Sequence, residues 1–568
     1  MNKATTDKKW IAALAEICAA KGVRNAFLSP GSRCAPLVIA FNRHPKINCR
    51  SIIDERSAAF VALGYAQQNN TPCALICTSG SALLNYAPAL AEAYYAKTPL
   101  IVLSADRPHE LIDQADGQAL KQKAVYQNYI KASFELPNQL NYSDDYNYSD
   151  RIVNEAINTA LTAPQGPVHI NIPLKEPLYG LKEYKKLAPK IIEESESTVQ
   201  IAPKAMDKLV QTWNESASKM ILLTSAAPQP ELTKKINALN GDPSLVIVSE
   251  YLSNQSNADF IQTVDPTVEM IEKAQSKAFS PELLITYGGA ILSKKLKVFL
   301  RKNPPKAHWH IEAGQDKAID TYFALTNKLN CDAAWFFDEL SKKEVRRISD
   351  FKERWKAAEQ KGLERHLKML EAAPWCDLTV FKHLLNGIPE KGILHLANST
   401  PVRYVALFPD LQKKSWTFFS NRGVSGIDGS VSTALGQSLN TKEWCTAIVG
   451  DLSFFYDSNA LWNQYLPKNF RIIIINNKGG NIFRIINGPG ELDELESYFE
   501  TQHKHNAEKI AETYGLSYYF CDNAAQLKVT LPRFYDSKLK RAAILEISTP
   551  NVESAEWLKK YLKIENQL

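Results

Sequence analysis

The 568-residue chain has no uninterrupted apolar run that reaches the roughly 18 residues of a membrane span. Its first residues, Met1 to Lys9, are polar and charged and lack the apolar core of a signal peptide, so a cytoplasmic protein is expected. No Cys-x-x-Cys pair occurs, and the nine cysteines are odd in number, which reads as reduced thiols rather than a disulfide framework. Cys73 and Cys77 lie on an apolar strand and are assigned to a core. Long blocks of like charge are also missing. The 67 basic and 61 acidic residues are interspersed, net charge is +6, and nothing resembles a nucleic-acid-binding patch. No short-period repeat is present. His308-Trp309-His310 alternates as ligands on one strand face would, but no third ligand is nearby, and a strand with polar outward positions is the better reading. His503 and His505 fall in a charged helical start and read as solvated.

With 45% apolar and 23% charged residues the composition is that of a soluble globular chain, long enough for three or four domains with sizeable cores. Residues 1–180 alternate helices with short apolar strands: Ala26 to Ser29, Ile52-Ile53, Ala74 to Thr78, Leu100 to Ser104 and Val168 to Ile172. Lys182 to Gln200 is charged and aperiodic, and reads as a linker. Residues 201–345 form a second α/β unit, with strands at Met220 to Thr224, Leu245 to Ser249, Leu283 to Tyr287 and His308 to Glu312. No Gly-x-Gly-x-x-Gly follows any of these strands, which argues against a dinucleotide site. A helix over Phe351 to Leu370 leads into a third unit at 374–568. The fold class expected is α/β, with three doubly wound parallel-sheet domains.

The densest chemical signal is Gly450-Asp451-Leu452-Ser453 followed by Asn476-Asn477-Lys478-Gly479-Gly480. Trp444 to Val449 reads as a buried strand, Ser458 to Tyr465 as a helix and Arg471 to Ile475 as a second strand. That is one βαβ unit with both polar loops at the carboxyl ends of its strands, where open α/β sheets bind ligands. Asp451 offers a carboxylate oxygen, Asn477 an amide oxygen and Gly479 a backbone carbonyl. Three protein oxygens completed by diphosphate oxygens and water suit octahedral Mg²⁺. Four further loops each present an arginine at a strand's carboxyl end: Arg33, Arg107, Arg403 and Arg422. The planar guanidinium suits two-point recognition of carboxylates.

The paired Gly-Asp and Asn-Asn loops resemble the thiamine-diphosphate fingerprint. Ser51 to Ala59 is similar to the strand-glutamate-helix element whose carboxylate meets the aminopyrimidine ring in that superfamily, which implies Glu55 as the catalytic residue. Cys77-Thr78-Ser79-Gly80-Ser81-Ala82 with Asn85, and Gly166 to Pro173, match its pyrimidine-binding domain, and the third unit its diphosphate and Mg²⁺ domain. The strings Ser29 to Arg33, Asp54 to Ser57, Ala105 to Gln118, Ser420 to Gly429 and Gly450 to Phe483 closely resemble the family of 2-succinyl-5-enolpyruvyl-6-hydroxy-3-cyclohexene-1-carboxylate synthases, the thiamine-dependent carboligases of menaquinone biosynthesis. Ser-Asn-Arg-Gly-x-Ser-Gly-Ile-Asp-Gly, at 420–429, is the most specific of them.

This resemblance implies a transferase that decarboxylates 2-oxoglutarate and adds the succinyl carbanion to isochorismate. Substrate contacts are implied for Ser32, Arg33, Arg107, Gln118, Lys294, Ser399, Arg403 and Arg422. Cofactor contacts are implied for Glu55, Ser79, Gly80, Ile427, Gly429, Gly450, Asp451, Leu452, Ser453, Asn477, Gly479, Ile482 and Phe483. Ile427 corresponds to the bulky residue that bends the cofactor, and Ile482 and Phe483 to the apolar wall over its reactive carbon. The metal, Mg²⁺ with Mn²⁺ as an alternative, falls to Asp451, Asn477 and Gly479. Active sites shared between subunits imply a homo-oligomer. One departure is Gly117, where the family often carries Asn. A 2-oxoacid decarboxylase shares Asp451, Asn477 and Glu55 but has no need of four arginines. A nicotinamide-dependent oxidoreductase lacks its fingerprint here, and a catalytically dead paralogue is disfavoured because every identifiable cofactor position is intact.

Overall fold

The computed structural model describes residues 4–562, except Glu196, Glu272, Asp316 and Asp410. Three all-parallel sheets carry the chain, as the strand pattern predicts. The first runs Asn48–Ser51, Asn25–Leu28, Cys73–Cys77, Leu100–Asp106, Val168–Pro173 and Ser133–Glu135 across the sheet. The third runs Ser415–Phe419, Lys391–Leu396, Trp444–Gly450, Phe470–Asn476, Ala543–Ser548 and Ser517–Cys521. Numbered within its own segment, each reads 2-1-3-4-6-5, so the first and last segments share one topology. The middle sheet, Leu245–Ser249, Lys219–Leu223, Leu283–Tyr287, Ala307–Ile311 and Asn327–Leu329, reads 2-1-3-4-5. In all three the order reverses between the first and third strands, which opens a crevice at the strands' carboxyl ends.

The strands form because helices cover both faces, which favours unbroken aliphatic runs. Phe470–Asn476, with four consecutive isoleucines, is buried at every position. Cys73 and Cys77 are fully buried, as expected. The first and third segments also share a core, in which Phe60 and Leu63 lie with Val431, Leu435 and Ile474. The helix Glu55–Asn69 crosses the helix Ser430–Ser438 there. Among the described residues no helix is long and apolar enough to cross a membrane.

Several local expectations shift. The strand placed at Ile52-Ile53 lies at Asn48–Ser51, and pairing ends where the Ile52 N–H reaches the Leu28 carbonyl at 2.9 Å. Ile53 then stands 46% exposed. The helix placed at Ser458 to Tyr465 is only a 3-10 turn at Ser458–Leu461. A helix instead starts at once after the strand, at Asp451–Tyr456, and stops as Asp457 turns its carboxylate onto the Ser432 N–H at 2.7 Å. The segment read as a linker is strapped down. Leu181–Glu183 pairs antiparallel with Ala4–Thr6, and Asn154 bonds both the Lys190 carbonyl and the Ile192 N–H at 2.8 Å. Glu196 of that segment, like Met1 to Lys3 of the N-terminus, lies outside the described residues. His308 and His310 are buried rather than outward, each 2.9 Å from the Thr286 hydroxyl.

Candidate active site

Asp451 sits at the end of Trp444–Gly450, 2% exposed. One oxygen accepts the Leu452 N–H at 2.7 Å and the other the Gly479 N–H at 3.0 Å, which ties together the ends of two neighbouring strands. Gly479 has φ +154°, and a Cβ there would meet the Glu500 carbonyl oxygen at 2.7 Å, so the turn requires glycine. Asn477 donates its Nδ2 to Asp377 Oδ2 at 3.1 Å, while its backbone carbonyl accepts from Asn551 at 2.9 Å. A carboxylate only accepts hydrogen bonds. The amide nitrogen therefore faces Asp377, and Oδ1 is turned away with no hydrogen bond among the described residues. Nothing lies within 4 Å of the position a Cβ would take at Gly450, so space stands open beside Asp451.

These features fit a metal-diphosphate group. One carboxylate, one free amide oxygen and a glycine loop surround open volume, and the described residues hold no cluster of three His, Cys, Asp or Glu side chains that would form an all-protein cage. Asp377, fully buried, escaped the sequence reading. Burial pushes its carboxyl up to about 6, against hydrogen bonds from Thr549, Asn477 and Ser554. No local motif marks it, because it lies about a hundred residues before its partner. His503, expected in solvent, packs instead against Asp451, with Nε2 3.3 Å from Oδ2 and its ring stacked on His505. Its backbone N–H bonds the Lys478 carbonyl at 3.2 Å, and that bond folds the segment under the loop.

The flanks of this crevice hold the other third-segment residues. Ile427 is 42% exposed, and its carbonyl is pinned by the Ser453 hydroxyl at 2.6 Å. Gly429, at φ +69°, starts the helix Ser430–Ser438 where a Cβ would overlap the Phe60 ring. Leu452, Ile482 and Phe483 are half-buried. Asn398 fastens the loop that follows Ser415–Phe419, donating to the Asn421 and Gly426 carbonyls at 2.7 Å and accepting from Arg422 at 2.9 Å. Ser399 beside it takes φ +79°. Arg403, largely buried, bonds the Leu292 carbonyl at 3.4 Å.

Arg403, Arg422 and Lys294 converge from different elements. Burial and then the neighbouring Arg422 lower the pKa of Arg403, and burial and then Arg403 lower that of Lys294. None of the three forms an ion pair among the described residues. Beneath them Glu250 is buried, accepting the Leu292 and Ser293 N–H groups at 2.7–3.0 Å, and burial pushes it up to about 7. Three cations that gather without an ion pair among the described residues are suited to an anionic ligand. The Arg422 Nε and the Ser420 hydroxyl are also buried without partners among the described residues.

The first-segment residues gather at the other sheet. Glu55 opens its helix behind Asp54, whose carboxylate accepts the Ser57 N–H at 3.2 Å. It is half-buried, takes a 3.4 Å hydrogen bond from Asn85, and has its pKa raised by burial. The Ser79 and Thr78 hydroxyls are buried without partners among the described residues. Gly80, at φ +88°, donates to Gln122 at 3.0 Å. Gln122 was also missed. It is 1% exposed and donates to the Ala105 carbonyl at 3.1 Å and to Asn171 at 2.9 Å, so it locks three strand ends together. Ser32 and Gln118 are exposed. Arg33 is only 4% exposed and donates to the Leu174 carbonyl at 2.8 Å and to Glu176 at 3.3 Å. Arg107 donates twice to the Gly117 carbonyl, at 2.9 and 3.2 Å. At Gly117 no atom lies within 4 Å of a Cβ position.

Within one chain, among the described residues, no hydrogen bond or ion pair joins Glu55, Arg33 or Arg107 to Asp451, Asn477, Arg403 or Arg422.

Comparison with known proteins matches residues 9–128 to the N-terminal TPP-binding domain of thiamine pyrophosphate enzymes and residues 401–547 to their C-terminal TPP-binding domain. Three relatives carry the name 2-succinyl-5-enolpyruvyl-6-hydroxy-3-cyclohexene-1-carboxylate synthase. The chain is 41% identical to the Christiangramia forsetii protein (96% of each chain covered), 40% to that of Flavobacterium johnsoniae (96% and 97%) and 38% to that of Porphyromonas gingivalis (99% and 98%). With identity at this level along nearly its whole length and both thiamine-binding domains in place, the chain belongs to the 2-succinyl-5-enolpyruvyl-6-hydroxy-3-cyclohexene-1-carboxylate synthase family of thiamine-diphosphate-dependent enzymes.

Proposed function

We propose that this enzyme decarboxylates 2-oxoglutarate and joins the remaining four-carbon unit to isochorismate, giving 2-succinyl-5-enolpyruvyl-6-hydroxy-3-cyclohexene-1-carboxylate and CO₂ for menaquinone biosynthesis. The observation that carries the substrate assignment is the gathering of Arg403, Arg422 and Lys294 with no ion pair among the described residues, because both substrates are dicarboxylates. Thiamine diphosphate, when bound, supplies the nucleophilic carbon and the electron sink that decarboxylation needs.

The protein's own residues bind, orient and exclude water. Asp451, the Asn477 amide oxygen and the Gly479 carbonyl would hold Mg²⁺, or Mn²⁺, for the diphosphate group. Glu55 holds a proton at its carboxyl beside the pyrimidine ring, a task suited to a carboxyl whose pKa burial raises. Ile482 and Phe483 would wall the reacting centre, and Ile427 would bend the bound cofactor. Arg403, Arg422 and Lys294 bind carboxylates, joined from the first segment by Ser32, Arg33, Arg107 and Gln118 once substrate draws the arginines off their loop carbonyls.

The family resemblance supports a homo-oligomer in which one subunit's first segment completes its partner's third. Exposed Ile53, Leu84, Ile427, Tyr456 and Trp462 supply apolar surface for that contact. A cytoplasmic setting accords with nine free thiols. The test is mass spectrometry of products after incubation with thiamine diphosphate, Mg²⁺, 2-oxoglutarate and isochorismate. CO₂ release without a carboligated product would assign a simple decarboxylase instead.

A further inference from the structure

We infer that Asp377 is the positioning residue that sets which atom of Asn477 meets the metal. The inference rests on the metal site proposed above. Asp377 is the first residue of the helix Asp377–Gly387 and is fully buried. Its Oδ1 accepts the Thr549 hydroxyl at 2.6 Å and the Ser554 hydroxyl at 3.3 Å, and its Oδ2 accepts the Asn477 amide nitrogen at 3.1 Å. Its backbone N–H donates to the Ser554 oxygen at 3.1 Å, so the residue is held from both ends.

An asparagine side chain presents oxygen and nitrogen in nearly identical shapes, and only the oxygen ligates a hard cation. Nothing intrinsic to Asn477 chooses between the two. A carboxylate at 377 does, because it accepts from the nitrogen and cannot donate to the oxygen. The choice is built from outside the metal loop, by a helix that enters the third sheet from the opposite end of the segment.

Asp377→Asn tests this. The new amide keeps the volume and leaves its oxygen to Thr549 and Ser554, so its NH₂ confronts Asn477. The Asn477 amide then flips to offer its oxygen to residue 377 and its NH₂ to the metal. Mg²⁺ affinity, titrated calorimetrically with thiamine diphosphate present, is expected to fall about 10- to 100-fold. The melting temperature of the metal-free protein is expected to stay close to that of the parent. Asn477→Ala should match this loss, and the double variant should add nothing further, because both act through one ligand. A lower melting temperature with Mg²⁺ affinity unchanged, or losses that multiply in the double variant, overturns the inference. If Asp377→Asn does not fold, Thr549→Val loosens the same carboxylate. A severalfold loss of Mg²⁺ affinity there supports the inference and an unchanged affinity overturns it. Asp451→Ala run alongside separates the two levels: if that variant binds Mg²⁺ normally, the metal reading itself fails.

Discussion

Gly64 and Gly436 face each other's backbones where the helix Glu55–Asn69 crosses the helix Ser430–Ser438. A Cβ on Gly64 would run into the Thr433 carbonyl oxygen, and one on Gly436 into that of Val61. The two helices belong to the first and third sheets, so this backbone-to-backbone approach sets how the two thiamine-binding segments of one chain lie together. Alanine in place of a helical glycine ordinarily stabilises by about 1 kcal/mol. Gly436→Ala should do the reverse, costing about 1 to 3 kcal/mol through overpacking. Thermal unfolding measures it, and a variant as stable as the parent means the helices separate without strain.

Glu55→Gln should leave the fold and diphosphate binding intact while turnover falls. Assistance by a positioned proton donor is typically worth about 10² to 10⁴ in rate. The pair of measurements is thiamine diphosphate affinity and kcat. Retention of more than about half the parent's kcat removes Glu55 from the catalytic role.

The aliphatic strands and the loops at their ends were legible because both are local patterns. Trp444–Gly450 and Phe470–Asn476 declare themselves, and Asp451 and Asn477 follow each directly. What stayed hidden are residues whose role is set by distant partners. Asp377 orients Asn477 from a hundred residues away, Gln122 braces Gly80 from across the sheet, and Glu92 accepts the Gly423 and Val424 N–H groups from another segment at 2.6 and 2.7 Å. His503 was misplaced in solvent for the same reason: only the return of its chain beneath Lys478 buries it. The helix after Asp451 was set too late because hydrophobic spacing in Ser458 to Tyr465 outweighed the tertiary demand on Asp457.

Acid should destabilise the chain partly through His395. Its ring is fully buried on the strand Lys391–Leu396, bonded to Gln437 at 3.2 Å, and burial lowers its pKa from 6.5 to about 4. Between those values the unfolded chain takes up a proton that the folded chain refuses, so stability falls as pH drops through the window. Above pH 6.5 the contribution is fully present. The full shift amounts to about 3 kcal/mol at most. His395→Gln should therefore lose less stability than the parent between pH 7 and about 4.5. Parallel stability curves for parent and variant across this range would count against the assignment.

Arg403 and Arg422 separate a binding role from a bracing one. Each holds a protein carbonyl or amide oxygen now, Arg403 at Leu292 and Arg422 at Asn398, so truncation disturbs a loop whatever the substrate. Yet neither forms an ion pair among the described residues, and burial and then Arg422 lower the pKa of Arg403, as burial and then Arg403 lower that of Lys294. Arg403→Ala and Arg422→Ala should each lower kcat/KM about tenfold to a hundredfold for one of the two substrates, since a charge-assisted hydrogen bond contributes about 1.5 to 3 kcal/mol. Lysine at either position should restore only part of the loss, because it keeps the charge but not the planar fork. Melting temperature and kcat/KM for 2-oxoglutarate and isochorismate, measured separately, decide the matter. A lower melting temperature with normal kinetics for both substrates makes these arginines loop braces and removes the principal support for dicarboxylate recognition.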